Sequence, residues 1–179
     1  MAVDRASGSS ESDVRLAAMN LLARREHSAL ELREKLLKRF GEVERDDGVD
    51  GASGARGTKG KSPDIDAVLN RLAEQGLQSD ERFTEAFITA RERQGKGPLR
   101  IAQELRQKGV SDDLVAQYLD ESDDCWAHLA QEVRSKRFGD EPIQTPKEKA
   151  RQMRFLQYRG FSHEQVRRAI ASVPRHPSP

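Results

Sequence analysis

The sequence predicts an all-α protein of three tandem three-helix repeats, and three observations support this prediction. Alternating runs of β-branched and aromatic residues, which are typical of strands, are nearly absent, whereas apolar residues recur at helical spacing along most of the chain. Charged residues make up 34% of the 179 residues and aromatic residues only 5%, which favours thin helices with much solvated surface. The same three-helix pattern returns twice, which predicts an elongated, curved, solenoid-like body.

The first two helices are predicted from apolar series that follow capping residues. Apolar side chains at residues 14–23 follow Ser12, and a second apolar series at residues 30–37 follows Ser28. Glu31 stands three positions after Ser28, as in a capping box. Two short helices joined by a tight turn are therefore expected.

The third helix of the first repeat should begin near Pro63, with Ser62 as its N-cap, and should end at Gly76. Residues 42–61, which precede it, are rich in Gly and charge and poor in apolar side chains. Because such a segment cannot bury enough surface to offset the entropy lost on ordering, it is predicted to be a flexible insertion.

The second and third repeats share a local motif. LRQKGVS at residues 105–111 aligns with LQYRGFS at residues 156–162, and in both segments Gly is placed as a helix C-cap and Ser as an N-cap. The six predicted helices span residues 80–93, 98–108, 111–119, 126–138, 146–158 and 162–172. The predicted limits are 1–12 for a disordered N-terminus, 13–76, 77–121 and 122–173 for the three repeats, and 174–179 for a disordered C-terminus.

Large apolar residues at helical spacing are expected to form the core, because such positions are more often structural than functional. When the repeats are aligned, Leu16, Phe83 and Trp126 share one position. The predicted core residues are Leu16, Phe83, Phe87, Trp126, Phe155 and Phe161.

Composition excludes several classes of protein. The formal net charge is only +1, so bulk charge does not indicate a nucleic-acid or membrane partner. No window approaches the roughly 18 apolar residues of a membrane-spanning helix, and the first twelve residues are polar, unlike a signal peptide. The single cysteine, Cys125, cannot form an internal disulfide, which favours a reducing compartment. A monomeric cytoplasmic protein without membrane attachment is expected.

No catalytic, cofactor or metal site is predicted. GKGP at residues 95–98 lacks the spacing of a phosphate-binding P-loop and precedes a helix in an all-helical context. The four histidines lie on separate elements, and His27, at a helix start, is expected to be solvated or near the cap. Asp123 and Asp124 beside Cys125 should raise the pKa of its thiol and suppress the reactive thiolate.

Charge is nevertheless segregated along the chain. Residues 91–108 carry six basic against two acidic side chains, residues 112–124 carry six acidic and no basic ones, and residues 134–168 carry ten basic against four acidic ones. This pattern suits a mixed partner, such as a nucleoprotein filament that presents DNA phosphates beside protein surface. Ordinary solvated helix faces are the alternative explanation.

The helical corners raise the possibility of direct DNA reading by the second helix of a pair. In the second repeat that helix, at residues 111–119, carries acidic residues and no Lys or Arg, so phosphates would repel it. In the third repeat the side chains that could reach a groove are His163, Gln165, Arg167 and Arg168. An autonomous DNA-binding protein and a helical scaffold for some other partner therefore stay open as alternatives.

Three blocks of sequence resemble the RecX regulatory proteins. They are LLARREHS at 21–28 with ELR at 31–33, VLNRL at 68–72 with GL at 76–77 and DERF at 80–83, and GKGPxRIxxEL at 95–105 with KGV at 108–110. The resemblance covers about residues 13–171, and the insertion at 42–61 is longer and richer in Gly than the family implies. It implies tandem three-helix repeats without enzymatic activity, which bind the RecA recombinase filament and restrain its strand exchange, coprotease role and ATP hydrolysis.

With this resemblance, basic residues near helix ends become candidates for contact with the RecA filament and its DNA. Single-stranded DNA is expected to be bound weakly or through the filament. The candidates are Arg24, Arg25, Arg91, Arg93, Lys96, Arg100, Arg134, Lys136, Arg137 and Arg154.

Overall fold

A computed structural model describes residues 10–41 and 64–171, and within these ranges the chain is helical and contains no strand. The helices are α1 Glu11–Leu22, α2 Ala29–Phe40, α3 Ile65–Glu74, α4 Asp80–Arg93, α5 Pro98–Gln107, α6 Asp112–Tyr118, α7 Cys125–Phe138, α8 Pro146–Tyr158 and α9 His163–Ala171. The all-α class predicted from the sequence is confirmed. The helices cluster into two compact units, an N-terminal unit of residues 1–80 and a C-terminal unit of residues 81–179. The predicted limits of the three repeats stay predictions.

Two predicted helix starts are wrong because nearby polar residues make better caps. The α1 helix begins at Glu11, since the Ser10 side chain accepts from the Asp13 N–H and the Asp13 carboxylate accepts from the Ser10 N–H. Residues 11 and 12, predicted to be disordered, are therefore helical. The α3 helix is capped by Asp64, whose side chain accepts from the Ala67 N–H, so it begins at Ile65, two residues after the predicted start.

Several predictions fall outside the described residues. They concern the chain termini at 1–9 and 172–179, the insertion at 42–61, and the residues Ser62 and Pro63.

The core of the N-terminal unit is formed by small and aliphatic side chains from α1, α2 and α3. Its buried members are Val14, Ala17, Ala18, Leu32, Leu36, Ile65, Val68, Leu69 and Leu72. Leu16, predicted to be in the core, is 62% exposed. At about 100° per residue, Leu16 lies on the face of α1 opposite that of Val14 and Ala18. The repeat alignment, which gives Leu16 the same core position as Phe83 and Trp126, is therefore wrong for α1.

The turn between α1 and α2 is held by a buried polar cluster around His27. The Nδ1 atom of His27 lies 2.8 Å from Oε2 of Glu31, and the guanidinium of Arg25 donates two hydrogen bonds of 2.9 Å to the same carboxylate. The Gln78 amide donates to the His27 carbonyl at 3.3 Å. His27 is only 2% exposed, so of the two expected settings the structure shows the cap region, next to Ser28, and not solvent. The Ser28 cap is confirmed.

We expect this cluster to make the N-terminal unit less stable in acid. Burial lowers the pKa of His27 below its ordinary 6.5, and the charges of Arg25 and Lys35 add to this, although the hydrogen bond to Glu31 opposes it. Below pH 6.5 the unfolded chain therefore takes up the proton before the folded one, and stability should fall by at most about 1.4 kcal/mol per pH unit.

Urea unfolding followed by circular dichroism at pH 7, 6 and 5 measures this loss. His27→Gln cannot take up the proton, so its stability should depend less on pH over this range. An equal pH dependence in the wild type and the variant would contradict the assignment to His27.

The C-terminal unit contains two core clusters joined by the half-buried Leu129. Phe83, Trp126 and Phe161 are 2–3% exposed, as predicted, whereas Phe155 is half-buried, as is Phe87. The first cluster contains Phe83, Ile88, Ile101, Ala102, Leu105, Val110, Val115, Leu119 and Trp126. The second contains Ala130, Val133, Leu156, Phe161, Val166, Ala169 and Ile170.

The corner before α5 docks directly onto the corner after α8. The Gly97 N–H donates to the Arg159 carbonyl at 2.8 Å, and the Leu99 N–H donates to the Gly160 carbonyl at 3.1 Å. A Cβ atom at Gly97 would lie 2.4 Å from the backbone of Gly160, and one at Gly160 would lie 2.3 Å from Cβ of Arg100. Gly160 also has a φ of +93°, so only glycine fits both sides of this joint.

Candidate functional site

Three of the predicted contact residues meet in one groove of about 390 Å³ in the C-terminal unit. Arg93 lies in the last turn of α4, and Lys136 and Arg137 lie in the last turn of α7. Arg159, the C-cap residue of α8, completes the basic lining. The ends of three helices therefore converge here, and we call this site the basic groove.

Arg159 connects the elements that line the basic groove. Its Nη1 atom donates to the carbonyl of Gln94 at 2.7 Å and to that of Gly95 at 3.2 Å. Its guanidinium lies 5.0 Å from the centroid of the Phe155 ring. Arg159 thus binds backbone carbonyls just beyond the C-terminus of α4, where a cation is favoured by the helix dipole.

Sequence reasoning missed Arg159, although a signal was present. The repeat alignment places Arg159 opposite Lys108 in the Lys/Arg-Gly corner motif, and this motif by itself predicts only a tight turn between helices. Its neighbour Gly160 makes the close contact with the corner before α5, and this contact brings Arg159 to the end of α4.

The basic groove has an excess of positive charge over an apolar floor. Four basic side chains face two carboxylates, those of Glu92 and Glu132, and the floor is formed by Leu129, Val133 and Phe155. Lys136 lies 3.7 Å from Glu132, but both side chains are more than 60% exposed, so this ion pair is weak. Burial raises the pKa of Glu92 and so disfavours its charged form.

Arg93, Lys136 and Arg137 are exposed, and Arg93 and Arg137 differ from Lys136 in their lack of a carboxylate partner in the described part of the chain. Within the described residues neither forms an ion pair. Their guanidinium groups can therefore bind a phosphate or carboxylate without first giving up an internal partner.

Arg91 and Arg100 have a structural role in this unit, because both bind the same carboxylate. Nε of Arg91 donates to Glu104 at 2.6 Å, and Nε of Arg100 donates to Glu104 at 2.9 Å. Arg91 also stacks on the Phe87 ring at 4.3 Å. Burial opposes ionisation of Glu104, but the hydrogen bonds from Arg100 and Arg91 outweigh it and hold its pKa below the ordinary value.

Arg134 is a correction to the predicted contact set, because it points into the unit. It is 2% exposed, and its guanidinium bonds to Gln152, Ser135 and Asp140. On α7 it follows the buried Val133 on the same inward face. A partner at the surface cannot reach it.

The other predicted contact residues are dispersed. Arg24 and Arg25 lie in the N-terminal unit, where Arg25 is bound to Glu31 and Arg24 is exposed. Lys96 is half-buried near the start of α5, and Arg154 is exposed on α8.

The structure places the proposed DNA-reading residues of α9 unfavourably for reading bases. Gln165 is 6% exposed, since its amide donates to the Glu121 carbonyl at 2.8 Å and accepts from the Ser162 N–H at 2.8 Å. Arg168 is bound to Asp124 at 2.5 Å. Only His163 and Arg167 of this set remain exposed without a short ion pair.

Over the ranges 10–41 and 64–171, no group of three or more His, Cys, Asp or Glu side chains is arranged to hold a metal ion. Burial and the Asp123 carboxylate raise the pKa of the Cys125 thiol to about 11, which suppresses its thiolate. No helix in the described part of the chain is long and apolar enough to span a bilayer.

Comparison with known proteins identifies the repeats. Family models for the second and third three-helix domains of RecX match residues 79–119 and 127–170. The regulatory protein RecX of Halorhodospira halophila is 40% identical over 168 residues, which cover 93% of this chain and 92% of that protein. The chain belongs to the RecX family. The RecX of Pseudomonas entomophila is 41% identical over 158 residues, covering 88% of this chain and 90% of that one.

Solved RecX structures have the same fold. The crystal structure of RecX from Lactobacillus salivarius matches with a TM-score of 0.67 at 18% identity, covering 91% of this chain and 96% of the other. A second RecX crystal structure matches with a TM-score of 0.62 at 20% identity, covering 87% and 72%. The resemblance inferred from the sequence is therefore confirmed, and the protein is a regulatory protein of the RecX family. Its basic groove combines Arg93 of the second RecX domain with Lys136 and Arg137 of the third.

Proposed function

We propose that this RecX family member binds the RecA–DNA filament and inhibits its ATP hydrolysis, strand exchange and coprotease activity, and so modulates recombination, DNA repair and the SOS response. It acts in the cytoplasm as a monomer and has no catalytic activity of its own. Membership of the RecX family and the charge of the basic groove support this proposal.

The observation that carries the proposal is the exposed pair Arg93 and Arg137 in a groove with excess positive charge. A phosphodiester backbone offers one negative charge per nucleotide, and the release of its counterions favours binding to such a groove. The acidic segment at 112–124 belongs to the same unit, so the unit carries both signs of charge. A filament of protein and DNA can match both.

Inhibition would be steric and conformational. A protein of tandem repeats can contact several RecA protomers at once, so that weak contacts combine through their high effective concentration. A body held in this way would obstruct the groove that the second DNA strand must enter.

Reversing the charge of the basic groove should weaken inhibition of RecA. We expect Arg93→Glu/Arg137→Glu to raise the concentration needed for half-inhibition of RecA ATP hydrolysis on single-stranded DNA by at least about 10-fold, because two favourable phosphate contacts become repulsive. Titration of the variant into a RecA ATPase assay measures this directly. Circular dichroism should show unchanged helicity, since both side chains are exposed.

Lys149→Glu/Arg167→Glu is the matched control, since it makes the same change in net charge at exposed positions elsewhere in the C-terminal unit. Equal losses in both variants would assign the effect to overall charge and not to the basic groove. Full inhibition by the groove variant would remove Arg93 and Arg137 from the binding surface. Tight, salt-dependent binding to naked DNA without any inhibition of RecA would favour an autonomous DNA-binding protein.

A further inference from the structure

A second hollow in the C-terminal unit is built around an exposed aromatic ring. Tyr158, the last residue of α8, is 78% exposed, and in the described residues it is the one aromatic side chain that is exposed rather than buried or half-buried. The ring borders a hollow of about 460 Å³ between α5 and the end of α8. An exposed aromatic of this size has no role in the core clusters of the unit.

The Tyr158 ring is held in place by Arg100. The guanidinium of Arg100 lies 5.3 Å from the ring centroid, and its Nη1 atom donates to the Tyr158 carbonyl at 3.2 Å. Arg100 is itself fixed by its hydrogen bond to Glu104. The ring is therefore partly preorganised, which lowers the entropy that a stacked ligand would cost.

The hollow has the polarity of a site for a nucleobase. Its wall includes the amides of Gln103, Gln107 and Gln157, which can donate to and accept from the edge of a base. The charges of its wall, those of Arg100 and Glu104, are paired with each other. A flat aromatic ring beside neutral amides suits a stacked, uncharged heterocycle better than an ion.

We propose that this hollow binds an unpaired nucleobase of single-stranded DNA, with the base stacked on Tyr158. The residue that follows Tyr158, Arg159, lines the basic groove, so the phosphates next to the bound base have cations within the same corner of the fold. This inference adds a base contact to the proposed function, and the role of that contact in the RecA filament rests on the proposed function. Binding to free oligonucleotides tests it separately.

Photo-crosslinking identifies a stacked base directly. We expect irradiation of the full-length protein with a thymidine oligonucleotide containing 5-iododeoxyuridine to give an adduct that mass spectrometry locates at Tyr158. The half-buried Tyr118 is the internal control and should not react. Tyr158→Ala should remove the adduct and lower the affinity for the oligonucleotide at low salt by about 10-fold, as loss of one stacked base does. Tyr158→Phe should bind within about twofold of the wild type, because the stacking ring is retained.

Unchanged affinity of Tyr158→Ala, or adducts only at other residues, would overturn the base site. A Tyr158→Ala variant that binds the oligonucleotide normally but inhibits RecA less would assign the hollow to a protein contact and also overturn it. The RecA ATPase assay separates the two proposals. Inhibition by the wild type without an adduct at Tyr158 refutes only the base site, whereas an adduct without inhibition supports the base site and refutes the proposed function.

Discussion

Replacing Phe83 with alanine should lower the free energy of unfolding of the C-terminal unit by about 3–5 kcal/mol, the usual cost of removing a buried aromatic side chain. Phe83 is 3% exposed, and its ring packs 5.5 Å from that of Phe87. It shares a core cluster with Trp126, the single tryptophan of the chain. Urea unfolding followed by tryptophan fluorescence therefore reports on the affected region.

Leu16→Ala is the informative comparison for Phe83→Ala, because the sequence pattern placed both residues at the same core position. Leu16 is 62% exposed, so its loss should change the stability of the N-terminal unit by no more than about 0.5 kcal/mol. Urea unfolding followed by circular dichroism measures this change, since the helices of the N-terminal unit contribute to that signal. Similar large losses for both variants would mean that Leu16 is packed in solution and that the face of α1 is assigned wrongly.

Gly160→Ala should destabilise the C-terminal unit by about 3–5 kcal/mol, through backbone strain together with a steric clash. The new Cβ would need a side chain at a φ of +93° and would lie 2.6 Å from the backbone N of Arg100. The hydrogen bonds from Gly97 and Leu99 to this corner would be disturbed as well. Tryptophan fluorescence in urea measures the loss, and inhibition of RecA should fall because Arg159 leaves its place in the basic groove.

Gly76→Ala separates backbone strain from the clash. Gly76 also has a positive φ, of +67°, but a Cβ there would have no atom within 4 Å. The expected cost is only the backbone term, about 1–2 kcal/mol. If Gly160→Ala were no more damaging than Gly76→Ala, the close approach of Gly160 to Arg100 would not exist in solution.

The helices could be predicted from the sequence because their limits depend on local chemistry. The limits of α4 and α8 agree with the prediction at both ends. Ser28 and Ser111 cap their helices through side-chain oxygens that accept from N–H groups three residues ahead. The two wrong starts, at α1 and α3, have the same cause. In each helix a different polar residue, within two positions of the predicted cap, accepts the hydrogen bond from a backbone N–H of the first turn.

The binding surface was less predictable, because basic residues a few positions apart on one helix take different roles. Arg91 binds Glu104 while Arg93 lines the basic groove, and Arg134 is buried while Arg137 is exposed at the groove. Arg91 and Arg93 lie about 200° apart around α4, whereas Arg134 and Arg137 lie only about 60° apart around α7, on either side of the edge of its buried face. The pattern of basic residues does not state where the face that meets a neighbouring helix begins or ends. The segregation of charge indicated segments that line the basic groove, but it did not indicate which side chains in them face the groove.

The chain alone thus determines the helical class, the caps and the repeated corners, since these depend on hydrogen bonds and apolar spacing within a few residues. Membership of the RecX family also follows from local blocks of sequence. The basic groove and the Tyr158 hollow form only in the tertiary structure. They depend on the contact of Gly97 with the corner at Arg159 and Gly160, about sixty residues further along the chain. Contacts of that separation depend on the packing of whole helices, which no local pattern encodes.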